Sequence, residues 1–174
     1  MTASRIALVV ALALAAQTTL TRLVGVAIDV DFLLIVVVFV ALSRGPIVGL
    51  WAGTVGGLAQ DLLSGGIVGV SGLAKSLVGF TVGWLGVHFL TSRAWHRVLI
   101  LFVSTLVHAA WFVGVYTLIA PGAPPAAWTG VLTQAFANAL VGIVAAATCE
   151  HGPGMWKRAQ IRRGGFATRR WRVN

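Results

Sequence analysis

Acidic residues are nearly absent from this chain. Of 174 residues only four are Asp or Glu, namely Asp29, Asp31, Asp61 and Glu150. That leaves too few carboxylates, too far apart, for a plausible acid–base or metal-carboxylate centre. No His-x-x-His pair, Ser/His/Asp set or phosphate loop is visible either. The single cysteine, Cys149, excludes an intrachain disulfide and cannot build a cysteine metal site. Charged residues of both signs make up 10% of the chain, against 58% hydrophobic residues and a mean hydropathy of +0.92. This excludes disorder and leaves no room for a separate soluble domain. The expectation is an all-α integral membrane protein with no catalytic residue, no cofactor and no metal.

What the chain does have is apolar helix. Six segments are expected, at approximately 6–28, 30–43, 46–64, 72–90, 98–120 and 128–149. They form a six-transmembrane-helix bundle over residues 1–150, followed by a basic tail at 151–174. The first segment also fits a signal peptide, with Arg5 before an apolar run and a small-residue site at Ala13 to Ala15. Its apolar run continues past that site and further spans follow, which favours a retained helix. The second segment has only eleven uninterrupted apolar residues, Phe32 to Leu42, where about 20 normally span a bilayer. It reads either as a shortened spanning helix or as a re-entrant arm. Trp128 is placed as an interfacial anchor of the sixth.

Cations set the orientation. With six spans, Arg5, Arg44, Arg93, Arg97 and the seven tail cations fall on one side. The opposite turns carry Asp29 and Asp31 or no charge. Both termini are therefore expected in the cytoplasm. Asp29-Val-Asp31 superficially resembles a metal-nucleotide motif, but it lies on the non-cytoplasmic side and reads better as a turn partnered by Arg22.

The most informative stretch runs from Arg44 to Lys75. Pro46 suits a first helical turn. At about 100° per residue, Gly45, Gly49, Ala52, Gly53, Gly56 and Gln60 fall on one face of the third segment. Gly72, Lys75, Ser76, Gly79, Gly83 and Gly86 share a stripe on the fourth. Such faces let helix backbones approach in lipid. Asp61 and Lys75 lie at matching offsets from the shared turn, which predicts an ion pair between them. Outward snorkelling of both side chains is the competing reading.

Three further polar groups stand out. His108, with Ser104 and Trp111 on its face, reads as a hydrogen-bonded core histidine or a proton relay. Gln134, Asn138 and Gly142 form a stripe on the sixth segment that suits interhelical bonding or a partner helix. The tail cations Lys157, Arg158, Arg162 and Arg163 interleave with aromatics. A polybasic segment on anionic lipid, at about 1 kcal/mol per cation, is the expected use, rather than nucleic-acid binding.

Arg44-Gly45, then Gly57-Leu58-Ala59-Gln60-Asp61-Leu62-Leu63, Ile67-Val68-Gly69 and Gly72-Leu73-Ala74-Lys75 together resemble the MreD family, the rod shape-determining membrane proteins of bacteria. The resemblance is specific over roughly residues 29–90. Val30 departs from it, since the family often has proline before the Asp that opens the second helix. The resemblance implies a non-enzymatic subunit of the cell-elongation machinery in the cytoplasmic membrane. Its implied partner is the bitopic membrane protein MreC, and through it the MreB filament, the RodA glycosyltransferase and its transpeptidase. It also implies an architecture similar to the substrate-binding S component of energy-coupling-factor transporters. The alternative function follows from that: an S component serving micronutrient uptake.

Overall fold

The computed structural model describes residues 3–24, 30–88, 94–119 and 128–151. The described residues are helical with short connections and no strands. In order they form α1 (Ala3–Val24), α2 (Phe32–Arg44), α3 (Pro46–Ser64), α4 (Val70–His88), α5 (Ala94–Ile119) and α6 (Trp128–His151). Helix four starts two residues earlier than expected, at Val70 rather than Gly72. The reason lies in the turn, where Gly69 at φ 104° donates its N–H to a side chain and starts the helix there. Asp29, the Arg22 side chain and the tail cations lie outside the described residues.

The bundle is built around α2. Its 13 residues span about 20 Å at 1.5 Å each, short of a roughly 30 Å apolar layer. Its sequence is apolar on every side, the mark of a helix enclosed by protein. Leu33, Leu34, Ile35, Val37, Val38, Val40, Ala41 and Leu42 are all buried. All five other helices pack against it. On one flank it meets Val78 and Val82 of α4 and Leu101 of α5. On the other it meets Val10 of α1 and Ala52 of α3. The ambiguous short segment is thus the core element, enclosed by protein along its apolar run.

Gly45 links α2 to α3 at φ 94°, a left-handed conformation that favours glycine. Pro46 follows at the first helical position, where no N–H is needed. The chain then reverses through Gly65 and returns as α4.

Helices α3 and α4 form the most intimate pair in the bundle. A Cβ placed on Gly49 would collide with the carbonyl of Gly79, and one on Gly53 with that of Lys75. One on Gly57 would lie 2.5 Å from the Gly72 Cα, and one on Gly83 2.5 Å from the Pro46 Cα. Backbone meets backbone along the whole seam. Gly56 instead leaves room for Leu33 of α2, where a Cβ would sit 2.8 Å from a leucine methyl.

Large apolar side chains point outward. Along α3, Ile47, Trp51, Val55, Leu58 and Leu62 make one exposed stripe. On α6, Phe136, Leu140 and Val144 do the same. Among the described residues, three stretches are long and apolar enough to cross a membrane: Ala3–Leu20, Val70–His88 and His96–Ile119. Phe32–Arg44 and Thr129–Ala145 are apolar but shorter.

Candidate functional site: a buried polar network

The first turn of α2 needs partners for its free N–H groups. Asp31 caps it, its carboxylate accepting from the Leu34 N–H at 2.8 Å. Gln17 of α1 supplies a second acceptor, its Oε1 receiving the Phe32 N–H at 2.8 Å. Asn138 of α6 supplies a third, accepting the Asp31 N–H at 2.9 Å. Three elements therefore converge on one buried helix end.

The Asp31 carboxylate also meets a charge. Lys75 Nζ lies 2.7 Å from its Oδ2. Lys75 is 1% exposed and Asp31 3% exposed. An ammonium has only hydrogens to offer, so at 3.3 Å His108 Nε2 is the acceptor of a second Lys75 bond. The imidazole is then neutral with its proton on Nδ1. Beside it, Asn138 Nδ2 donates to Thr105 Oγ1 at 3.1 Å, and Thr105 donates to the Leu101 carbonyl at 2.9 Å. Asp31, Lys75, His108, Thr105 and Asn138 thus form one connected network across α2, α4, α5 and α6. Its formal charges cancel.

This arrangement corrects the expected Asp61–Lys75 pair. Lys75 bonds Asp31 and His108 instead. Asp61 Oδ2 accepts the N–H groups of Gly69 at 2.8 Å and Ser71 at 3.2 Å, stapling the turn to the start of α4. The reason is steric. Lys75 presses its own carbonyl onto Gly53, so the α3–α4 seam has no space for a side chain. The lysine leaves in another direction, and the orphan N–H groups of α4 take the nearby carboxylate. Burial at 1% also rules out the outward-reaching lysine. Asp31 pairs with Lys75; the Arg22 side chain expected to partner this turn lies outside the described residues.

The remaining polar residues divide. His108 and Asn138 belong to the network, while Gln134 is half-buried and takes no part in it. Gly142 faces Leu101, with no room for a Cβ. Ser104 is buried and Trp111 exposed. Gln60 is half-buried, and its Oε1 has no hydrogen-bond partner among the described residues. No group of His, Cys, Asp or Glu able to hold a metal occurs among them.

Sequence reasoning missed Gln17 as a partner of the α2 start and Thr105 as a network member, and read Asp31 as a turn residue. The signal for Asp31 was present, an Asp directly before an uninterrupted apolar run, which is a helix N-cap pattern. Gln17 directly follows the unbroken apolar run from Ile6 to Ala16 in α1, a position at which a polar side chain needs a partner.

An apolar exterior enclosing an ion pair and bonded amides defines an integral membrane helix bundle. In lipid, unsatisfied polar groups cost several kcal/mol, so buried ones are bonded to one another. The chain belongs to the MreD family: it matches the family described as rod shape-determining protein MreD over residues 2–144. It is therefore a rod-shape-determining membrane protein, from a family not known for catalysis. No curated protein and no solved structure matches the chain.

Proposed function

We propose that this chain is a non-catalytic scaffold subunit of the bacterial cell-elongation machinery. In this reading it crosses the cytoplasmic membrane six times with both termini in the cytoplasm. It binds an MreC-like bitopic protein and reaches the MreB filament, RodA and its transpeptidase through that partner, supporting peptidoglycan synthesis. Its tail, including Lys157, Arg158, Arg162 and Arg163, lies on anionic lipid.

The observation that carries this reading is the destination of the interior polar groups. Asp31, Lys75, His108, Asn138 and Thr105 bond to each other. A scaffold whose interior must be closed off from lipid has that need. The apolar stripe on α3 and that on α6 are left for lipid or partner helices.

The alternative is an S component of an energy-coupling-factor transporter, with the architecture that name implies. It calls for a ligand pocket of about 300 Å³ or more with polar groups directed into it. Here an open groove of about 130 Å³ between α4 and α5 is lined by Ala74, Leu77, Val78, Thr81, Val107 and Trp111. A second, of about 380 Å³, lies along the outer side of α4 at Phe80, Thr81, Trp84 and Leu85. Neither is lined by a member of the polar network, which favours the scaffold.

Depletion in the source bacterium tests the reading, combined with affinity purification from its native membrane. Rounding of rod-shaped cells and recovery of an MreC-like partner are expected. Unchanged shape with loss of uptake of one micronutrient, and recovery of transporter ATPases, would favour the S component.

A further inference from the structure

The bundle is not equally tight throughout. Helices α3 and α4 touch backbone to backbone at Gly49–Gly79, Gly53–Lys75, Gly57–Gly72 and Pro46–Gly83. No comparable glycine contact joins α4 to α5. Their seam carries the open groove of about 130 Å³ described above, bordered by the exposed Leu77, Val107 and Trp111. Helices α5 and α6 pack mainly against each other. Leu101 fills the space over Gly142, the Phe102 and Phe136 rings lie 5.2 Å apart, and Asn138 bonds Thr105. They make a coherent hairpin.

That hairpin joins the α1–α4 body through few links. Leu101, Ile100 and Val141 contribute apolar contact to the α2–α4 core. Its buried polar links to the body include the Lys75–His108 bond and the Asp31 N–H to Asn138 Oδ1 bond. Between helices in lipid there is no hydrophobic driving force, so packing and polar bonds hold them together. A seam that carries an open groove is less closely packed than the backbone-to-backbone α3–α4 seam. Its polar bonds then decide whether it stays shut.

We propose that the α5–α6 hairpin is a movable arm, latched to a rigid α1–α4 body by Lys75–His108 and Asp31–Asn138. The Asp31–Lys75 ion pair serves as the fixed half of the latch, since both residues belong to the body. His108 and Asn138 are the moving half. Release opens the α4–α5 seam at Ala74, Val78, Val107 and Trp111. The inference does not depend on the partner proposed above.

Distances between spin labels on the full chain in lipid nanodiscs, with Cys149→Ser, test this. One label goes at Val55→Cys on α3, the other at Leu140→Cys on α6, both exposed positions. Val55→Cys with Trp84→Cys on α4 reports the body alone. The unaltered latch should give one dominant distance for each pair. In His108→Leu/Asn138→Leu, a longer Val55–Leu140 population should appear. Its ratio to the closed form should rise about tenfold, the size expected for losing a hydrogen bond to a charged group. The Val55–Trp84 distance should not change. His108→Gln with Asn138 intact keeps an acceptor for Lys75 and should restore the single distance. An unchanged Val55–Leu140 distribution in the double variant would overturn the proposal. Equal broadening of both pairs would also overturn it, because the network would then hold the whole bundle rather than the arm.

Discussion

The Lys75 ammonium lies 2.7 Å from the Asp31 carboxylate, and the side chain of Asp31 also caps the helix it precedes. One carboxylate thus fixes the start of the central helix and neutralises a lysine on α4. Removing either partner leaves an uncompensated charge in a dry interior, at a cost of about 3–5 kcal/mol. Asp31→Ala and Lys75→Ala should each strongly lower the thermal unfolding temperature of the purified protein. The double substitution should be no worse than the poorer single, because it leaves no lone charge. Strictly additive losses would show that the pair does not interact.

Asp61 and Lys75 should be additive. They share a turn in the sequence but no contact in the fold. A double-substitution cycle on Asp61→Ala and Lys75→Ala should give a coupling within about 0.5 kcal/mol of zero. A larger coupling would contradict the separation of the two sites.

Asp61→Ala removes the acceptor for two N–H groups at the start of α4. The expected loss is about 1–3 kcal/mol. Asp61→Asn keeps an acceptor oxygen and should lose less. Unfolding of the two variants in the same detergent distinguishes a hydrogen-bonded cap from a charge requirement. Equal losses would indicate that the charge, rather than the acceptor, matters.

The glycines should sort by seam. Gly53→Ala pushes a methyl into the carbonyl of Lys75, and overpacking of this kind costs about 1–3 kcal/mol or more. Gly49→Ala should behave the same way against Gly79. Gly114→Ala and Gly130→Ala meet nothing within 4 Å and should be neutral or slightly stabilising, by up to about 1 kcal/mol. Expression level and melting temperature across the four variants check this. Similar losses at all four would remove the argument for backbone contact.

Orientation is open to labelling in intact cells. A Gly122→Cys variant should react with an impermeant thiol reagent from outside, and an Arg169→Cys variant should not. The reverse pattern would exclude cytoplasmic termini.

The sequence by itself determined the helical class, the helix pair that begins at Pro46 and most of the glycine face along which it closes. Those features are local. Glycine spacing at the helical period defines a bare stripe whatever the rest of the chain does, and a short turn between two helices makes them neighbours. The same local reasoning paired Asp61 with Lys75, because proximity to a shared turn was the only geometry available. The tertiary structure decided otherwise. The seam is so narrow that Lys75 must leave it. The carboxylate that receives it belongs to α2, and the imidazole and amide that complete the site belong to α5 and α6. No period or spacing relates residue 31 to 75, 108 or 138. Only the burial of a short, wholly apolar helix among the other five brings its capped end within reach of all three.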